Sequence, residues 1–156
     1  MSLVYLCLGS NLGQREDNFR KAIKLIEEKI GSIKARSAFH ETFPWGYDST
    51  NKFLNACIAV ETTIRPQDCL LCLKNIERSL GRIKSANTGY SDRVIDIDIL
   101  LYDDLVMESP DLTIPHPLMH ERSFVLKPLS EIAPDLVHPI LKKNIRTLLV
   151  EISSKP

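Results

Sequence analysis

The chain has 156 residues, 44 % of them apolar, which fits one domain with a core of its own. Twenty Lys and Arg offset 20 Asp and Glu, so the formal net charge is zero. This argues against a general binder of nucleic acid or membrane surface, since both need a basic excess, and makes any charge-driven function local.

In chain order, Leu3 to Leu8 is a short apolar run closed by Gly9, which predicts a buried strand. Gly9-Ser10-Asn11-Leu12-Gly13 is a turn. Phe19, Ala22, Ile23, Ile26 and Ile30 recur at helical spacing, with Gly31 as a C-cap. Ile33 to Phe39 reads as a second strand, and His40 to Lys52 as a loop holding Pro44, Gly46 and Asp48. Phe53 to Thr63 predicts a long strand. Pro66 and Asp68 open a second amphipathic helix, carrying Leu70, Leu73, Ile76 and Leu80 before Gly81. Residues 82–92 are polar, with little apolar matter to pin them, and a mobile loop is expected. Val94 to Tyr102 alternates as a strand does. The last third is punctuated by six prolines, from Pro110 to Pro139, with Ile145 to Ile152 a final helix or strand.

The order β-α-β-β-α-β with a C-terminal extension points to an α+β fold, helices packed on an antiparallel sheet. No apolar run reaches the roughly 18 residues of a membrane span. The start, Met1-Ser2-Leu3-Val4-Tyr5, lacks the basic and apolar regions of a signal peptide, so a cytoplasmic location is expected. Cys69 and Cys72 form a C-x-x-C. No second pair completes a zinc ribbon, and the apolar helix around them suits small core-facing thiols.

The most informative stretch is Arg93-Val94-Ile95-Asp96-Ile97-Asp98-Ile99-Leu100. In a strand, Ile95, Ile97 and Ile99 point one way, and Asp96 and Asp98 the other, roughly 6.6 Å apart. Two such carboxylates repel by about 1–3 kcal/mol, and strands disfavour Asp. A cation would offset both costs. Hard oxygen ligands suit Mg²⁺, which often binds substrate phosphates as well, and a pair of ions about 4 Å apart is a known arrangement. The competing reading is a solvated outer sheet face. Arg82, Lys84 and Arg93 flank the dyad, and His116 and Arg122 follow it. Cations beside acids in an uncharged chain suit a polyanion held through metal, such as a nucleoside triphosphate. No G-x-x-x-x-G-K-[ST] is present, so side chains and metal must hold it. His116 sits between Pro115 and Pro117 in extended backbone. A second group is aromatic: Phe43-Pro44-Trp45-Gly46, Phe53 with Asn55, and Phe124. Aromatic faces sandwich flat ligands and an Asn reads a heterocycle's edge; each residue is equally at home in a core. His40 and His138 read as structural or exposed.

These residues resemble the 6-hydroxymethyl-7,8-dihydropterin pyrophosphokinase family over essentially the whole chain. The likeness rests on Leu8-Gly9-Ser10-Asn11-Leu12-Gly13, Phe53-Leu54-Asn55-Ala56, Ile76-Glu77 with Gly81-Arg82, and Arg93-Val94-Ile95-Asp96-Ile97-Asp98-Ile99. It continues through Ile114-Pro115-His116-Pro117, Glu121-Arg122-Ser123-Phe124-Val125-Leu126 and Glu131-Ile132-Ala133-Pro134. The resemblance implies a ferredoxin-like fold in one domain over 1–156. It implies transfer of pyrophosphate from ATP to the pterin hydroxymethyl group, with AMP as second product. It places two Mg²⁺ ions on Asp96 and Asp98, and catalytic roles on these two with Arg82 and Arg93. Glu77, Lys84, Arg93, His116 and Arg122 fall on the nucleotide side. Thr42, Phe43, Trp45, Phe53, Asn55 and Phe124 fall around the pterin. Three catalytic loops would lie at 9–14, 43–52 and 82–92. A monomer is implied, with no nucleic acid or membrane partner. The chain departs from the family at Lys84 and Glu41, each where Arg is common, and at Tyr90-Ser91-Asp92, where many members have Trp-Gly-Pro. Two rival classes remain: a non-catalytic nucleotide-binding module, which would yield no AMP, and a metal-dependent phosphohydrolase, which would yield AMP or ADP without pterin.

Overall fold

β1 (Ser2–Ser10) runs through the middle of the sheet, and its sequence explains why. Val4, Leu6 and Leu8 face one side and Tyr5 and Cys7 the other, all buried, so only a strand covered on both faces suits it. The computed structural model describes residues 1–44, 50–81 and 92–154. The helix α1 (Arg15–Lys29), the strands β2 (Gly31–Arg36), β3 (His40–Thr42) and β4 (Phe53–Thr62), the helix α2 (Pro66–Ser79) and the strand β5 (Asp96–Tyr102) follow in order. The sheet runs β2-β4-β1-β5, with β3 also paired to β4, and every pairing is antiparallel. The α+β architecture expected from the sequence is the one observed.

α1 and α2 pack on one face. Phe19, Ala22, Ile23 and Ile26 from the first, and Cys69, Leu73 and Ile76 from the second, meet Val4, Leu6, Leu8, Ile97 and Ile99 in one core. The other face is covered by the C-terminal extension. A small ribbon, β6 (Met107–Glu108) and β7 (Thr113–Ile114), leads to a 3-10 turn at Met119–Glu121, then α3 (Ser123–Ile132) and α4 (Ile145–Ser153). Val125, Leu126, Leu129, Ile145 and Leu148 form a second core with Tyr5, Cys7, Cys57, Leu100 and Leu101. The last segment is a helix, capped by Asn144, whose side chain accepts the Thr147 N–H at 2.8 Å.

Five expectations need correcting. Gly31 is not a cap; it opens β2, where a Cβ would collide with the Glu61 carbonyl of β4. The second strand ends at Arg36, not Phe39, and the long loop begins with β3. β5 begins at Asp96, two residues later than the alternation suggests. Its alternation also breaks: the register with β1 shifts between Tyr5 and Leu6, so Leu100 and Leu101 both join the second core. All four cysteines are free; Cys69 is buried, and burial followed by nearby Cys72 pushes its thiol up to about 12, as expected of a core residue.

Candidate functional site

The site grows from one face of the sheet. In the register, His40 faces Asn55, Asn55 faces Gly9 and Gly9 faces Asp96. One step along, Cys57 faces Cys7 and Cys7 faces Asp98. Residues opposite one another point to the same side. Asp96 and Asp98 therefore share the face that carries Asn55 and Phe53, with Gly9 leaving a gap between the two groups. A Cβ at Gly9 would stand 3.2 Å from Asn55 Oδ1 and 3.5 Å from the Phe53 ring. Asn55 is buried, and its Nδ2 donates to Thr42 Oγ1 at 2.8 Å, which fixes its amide. α3 brings Arg122 and Phe124 over this face: Arg122 is buried at the helix start and its guanidinium lies 5.5 Å from the Phe124 ring centre.

A cleft of about 340 Å³ runs along the outer edge of β5. Because it follows an edge, both faces of the strand line it: Asp96 and Asp98 with Ile97 and Ile99. α2 supplies Leu70, Lys74 and Glu77, and the 110–117 segment supplies Leu112, Thr113 and His116. That segment is pinned by the His116 N–H, which donates to the Leu100 carbonyl at 2.9 Å. Glu77 is buried and accepts the Ile97 N–H at 2.8 Å, so it satisfies the edge strand as well as lining the cleft.

The electrostatics are those of crowded acids beside cations. Arg93 holds Asp96 at 2.9 Å. The Asp98 carboxyl is pushed up to about 8, by burial first and then by the charges of Asp96 and Glu77, against the pull of Arg122 and Arg93. His116 is held down to about 4, by burial first and then by Arg122. Its Nδ1 accepts the Leu118 N–H at 3.1 Å, so the neutral ring carries its proton on Nε2, as a donor. Among the described residues no cluster of three or more His, Cys, Asp or Glu side chains could hold a metal by itself. The Asp98 environment still fits Mg²⁺: a carboxyl that burial and two acidic neighbours drive towards neutrality gains most from a hard divalent cation, and Mg²⁺ takes few protein ligands.

Three comparisons bear on this arrangement. A family model described as 7,8-dihydro-6-hydroxymethylpterin-pyrophosphokinase matches residues 5–134. The chain belongs to this family. It is 47 % identical over 141 residues to a 2-amino-4-hydroxy-6-hydroxymethyldihydropteridine pyrophosphokinase of Porphyromonas gingivalis, covering 89 % of this chain and 95 % of that one. A protein of the same description from Aquifex aeolicus is 40 % identical over 156 residues, covering 100 % and 96 %. A folic acid synthesis protein of Dictyostelium discoideum is 43 % identical, and there this chain spans 21 % of the relative. A crystal structure of an HPPK-DHPS in complex with substrates superposes with a TM-score of 0.78 at 17 % identity, over 96 % of this chain and 43 % of that one. At that identity it speaks for the fold alone.

Of the residues singled out from the sequence, Asp96, Asp98, Glu77, Arg93 and His116 line one cleft. Asn55, Thr42 and Phe53 come together across Gly9, and Arg122 and Phe124 arrive on α3. Phe43 is 73 % exposed, with Lys52 Nζ 4.8 Å from its ring centre. Trp45, Arg82 and Lys84 lie outside the described residues, and so does the loop expected to be mobile, save its last residue, Asp92. Leu70, Lys74, Leu112 and Thr113 were not picked out by sequence. A signal existed for the first two: Leu70, Lys74 and Glu77 recur at i, i+4 and i+7, one stripe of α2. His40 has a partner after all: its Nε2 lies 2.8 Å from Glu131 of α3. His138 is buried, and its Nδ1 accepts two backbone N–H groups.

Proposed function

We propose that Asp96 and Asp98 anchor two Mg²⁺ ions under the triphosphate of ATP, with the pterin bound on the far side of Gly9. The reaction is that of the family: pyrophosphate passes from ATP to 6-hydroxymethyl-7,8-dihydropterin, in folate biosynthesis. The observation that carries the assignment is the shared row Asn55–Gly9–Asp96, whose last member lines the β5 cleft. Asn55 and Asp96 are two strand spacings apart, roughly 10 Å, so a bicyclic heterocycle read by Asn55 can extend an arm to the carboxylates.

Asn55, oriented by Thr42, reads the pterin edge, and Phe53, Phe124, Phe43 and Trp45 supply apolar surface around its ring. Glu77, Lys84, His116 and Arg122 hold the nucleotide, with the His116 Nε2–H donating to a phosphate oxygen. Bound Mg²⁺ supplies charge neutralisation along the triphosphate and lowers the pKa of the attacking hydroxyl. Arg93, beside Asp96, and Arg82 stabilise the charge that develops as the α–β bridge breaks and AMP leaves. In the same reading the chain is a single domain over 1–156, a monomer, and cytoplasmic; no helix among the described residues is long and apolar enough to cross a membrane.

The test is AMP release from Mg·ATP with and without the dihydropterin. AMP that appears only with the pterin supports the assignment. AMP or ADP formed without it favours a phosphohydrolase, and ATP binding with no product favours a non-catalytic nucleotide module.

A further inference from the structure

We propose that Asp92 is a positioning residue that locks the pterin side of the site to the nucleotide side. The proposal rests on the pterin pyrophosphokinase reading above, and its placement comes from three backbone segments meeting at one carboxylate. Asp92 Oδ1 accepts from Asn11 Nδ2 at 2.8 Å, and its Oδ2 accepts from Asn51 Nδ2 at 2.8 Å. Asn11 follows β1; Asn51 lies two residues before Phe53 and four before Asn55; Asp92 precedes Arg93.

Asn11 carries the connection onward. It is buried, and both hydrogens of its amide are used, the second on the Asn51 carbonyl at 3.1 Å. Its Oδ1 accepts the Arg93 N–H at 2.6 Å, and its own N–H, with that of Leu12, donates to the Arg93 carbonyl at 3.0 and 3.1 Å. The Arg93 main chain is thus held at both ends, and its side chain reaches Asp96 at 2.9 Å. One charged acceptor therefore orders the start of β4, where the pterin residues lie, and the arginine set over the metal carboxylates. Amide-to-carboxylate bonds are among the stronger hydrogen bonds, because the acceptor is ionised. Asp92 is not among the residues that line the cleft, and its carboxylate reaches the start of β4 through Asn51 and Arg93 through Asn11.

The donor–acceptor pattern makes the proposal testable by exchange. Asp92→Asn keeps the shape but removes the charge and turns one acceptor into a donor, which bonds Asn51 only after that amide has turned over from the orientation it holds here. Asn51→Asp sets two carboxylates against each other. With both changes the pair is restored with the roles reversed, and Asn11 still finds an oxygen. Each single variant is expected to lower kcat and raise the pterin KM, together reducing kcat/KM for the pterin about tenfold, while Mg·ATP affinity stays within about twofold; the double variant recovers most of the loss. Hydrogen exchange at the Arg93 amide gives a readout independent of turnover: faster in each single variant, slow again in the double. Thermal midpoints separate loss of the lock from loss of the fold. Singles that keep wild-type pterin kinetics and Arg93 protection overturn the proposal, and so does a double variant no better than the singles. If wild-type protein makes no AMP with pterin, the functional reading fails, and the exchange data still decide whether Asp92 holds Arg93.

Discussion

Gly9 separates Asn55 and Phe53, proposed to meet the pterin, from Asp96 and Asp98, proposed to hold Mg²⁺, and the gap it leaves is the smallest feature on which that proposal depends. Gly9→Ala places a methyl 3.2 Å from Asn55 Oδ1 and 3.5 Å from the Phe53 ring, so that amide and ring must give way. The expected result is a pterin KM raised about five- to thirtyfold, equivalent to about 1–2 kcal/mol, with little change in thermal midpoint. Steady-state kinetics at saturating Mg·ATP check it, and an unchanged pterin KM would remove Gly9 from the account. Single residues were the most legible part of the sequence. Asp96 and Asp98 stood out because acids are costly in an otherwise apolar strand, and the structure leaves Asp98 crowded enough to be pushed up to about 8. Glu77 was not legible from pattern: a Glu on an amphipathic helix reads as solvated, and its use on the Ile97 N–H appears only once β5 is known to be an edge strand. The bond between His40 and Glu131 was hidden for a similar reason, since it joins residues 91 apart in the chain.

The elements differ in how far local pattern fixes them. α1, α2, β1 and β4 carry periodic apolar residues that only one secondary structure can bury. β3 does not: His40-Glu41-Thr42 is short and polar, and is a strand because β4 offers it an edge. The break in β5 is likewise tertiary. Ile99-Leu100-Leu101 is apolar throughout, and the second core decides that two neighbours turn to the same side. β2 rests on a close approach. At Gly31 a side chain would meet the Glu61 carbonyl, which is main chain and cannot swing aside. Gly31→Ala should therefore cost at least about 1–3 kcal/mol of stability, seen as a lower urea midpoint. Because Gly31 lies at the far end of β4 from Phe53, kcat and both KM values at a permissive temperature should match wild type. A stable variant would mean that β2 and β4 can part there freely.

The molecule as a whole is a sheet with a core on each face, and the C-terminal extension serves two ends. α3 and α4 bury the second face, and the start of α3 carries Arg122 and Phe124 to the site. This layer was the least legible, because prolines divide it into short pieces whose periodicity is too brief to read. His138, in the connection between α3 and α4, is buried, and its Nδ1 accepts the Ile140 and Leu141 N–H groups at 3.2 and 3.1 Å. Burial, and then nearby His120 with ring centres 6.3 Å apart, hold its pKa below the usual histidine value. The unfolded chain thus takes up this proton more readily than the folded one. Its contribution to stability is full above about pH 6.5 and falls as pH drops below that value. His138→Asn keeps an acceptor in place of Nδ1 without titrating, so the fall in thermal midpoint between pH 7 and pH 5 should be smaller than in wild type; equal slopes would exclude His138 as a contributor. Fold and reaction meet at the acidic pair on β5, and calorimetric titration of Mg²⁺ with a non-hydrolysable ATP analogue tests it most directly. Asp96→Asn and Asp98→Asn should each weaken that binding at least tenfold and reduce AMP formation about 100-fold or more, since loss of even an outer partner of a metal ligand costs about 10–100-fold. Wild-type binding and turnover in either variant would contradict the role assigned to these carboxylates.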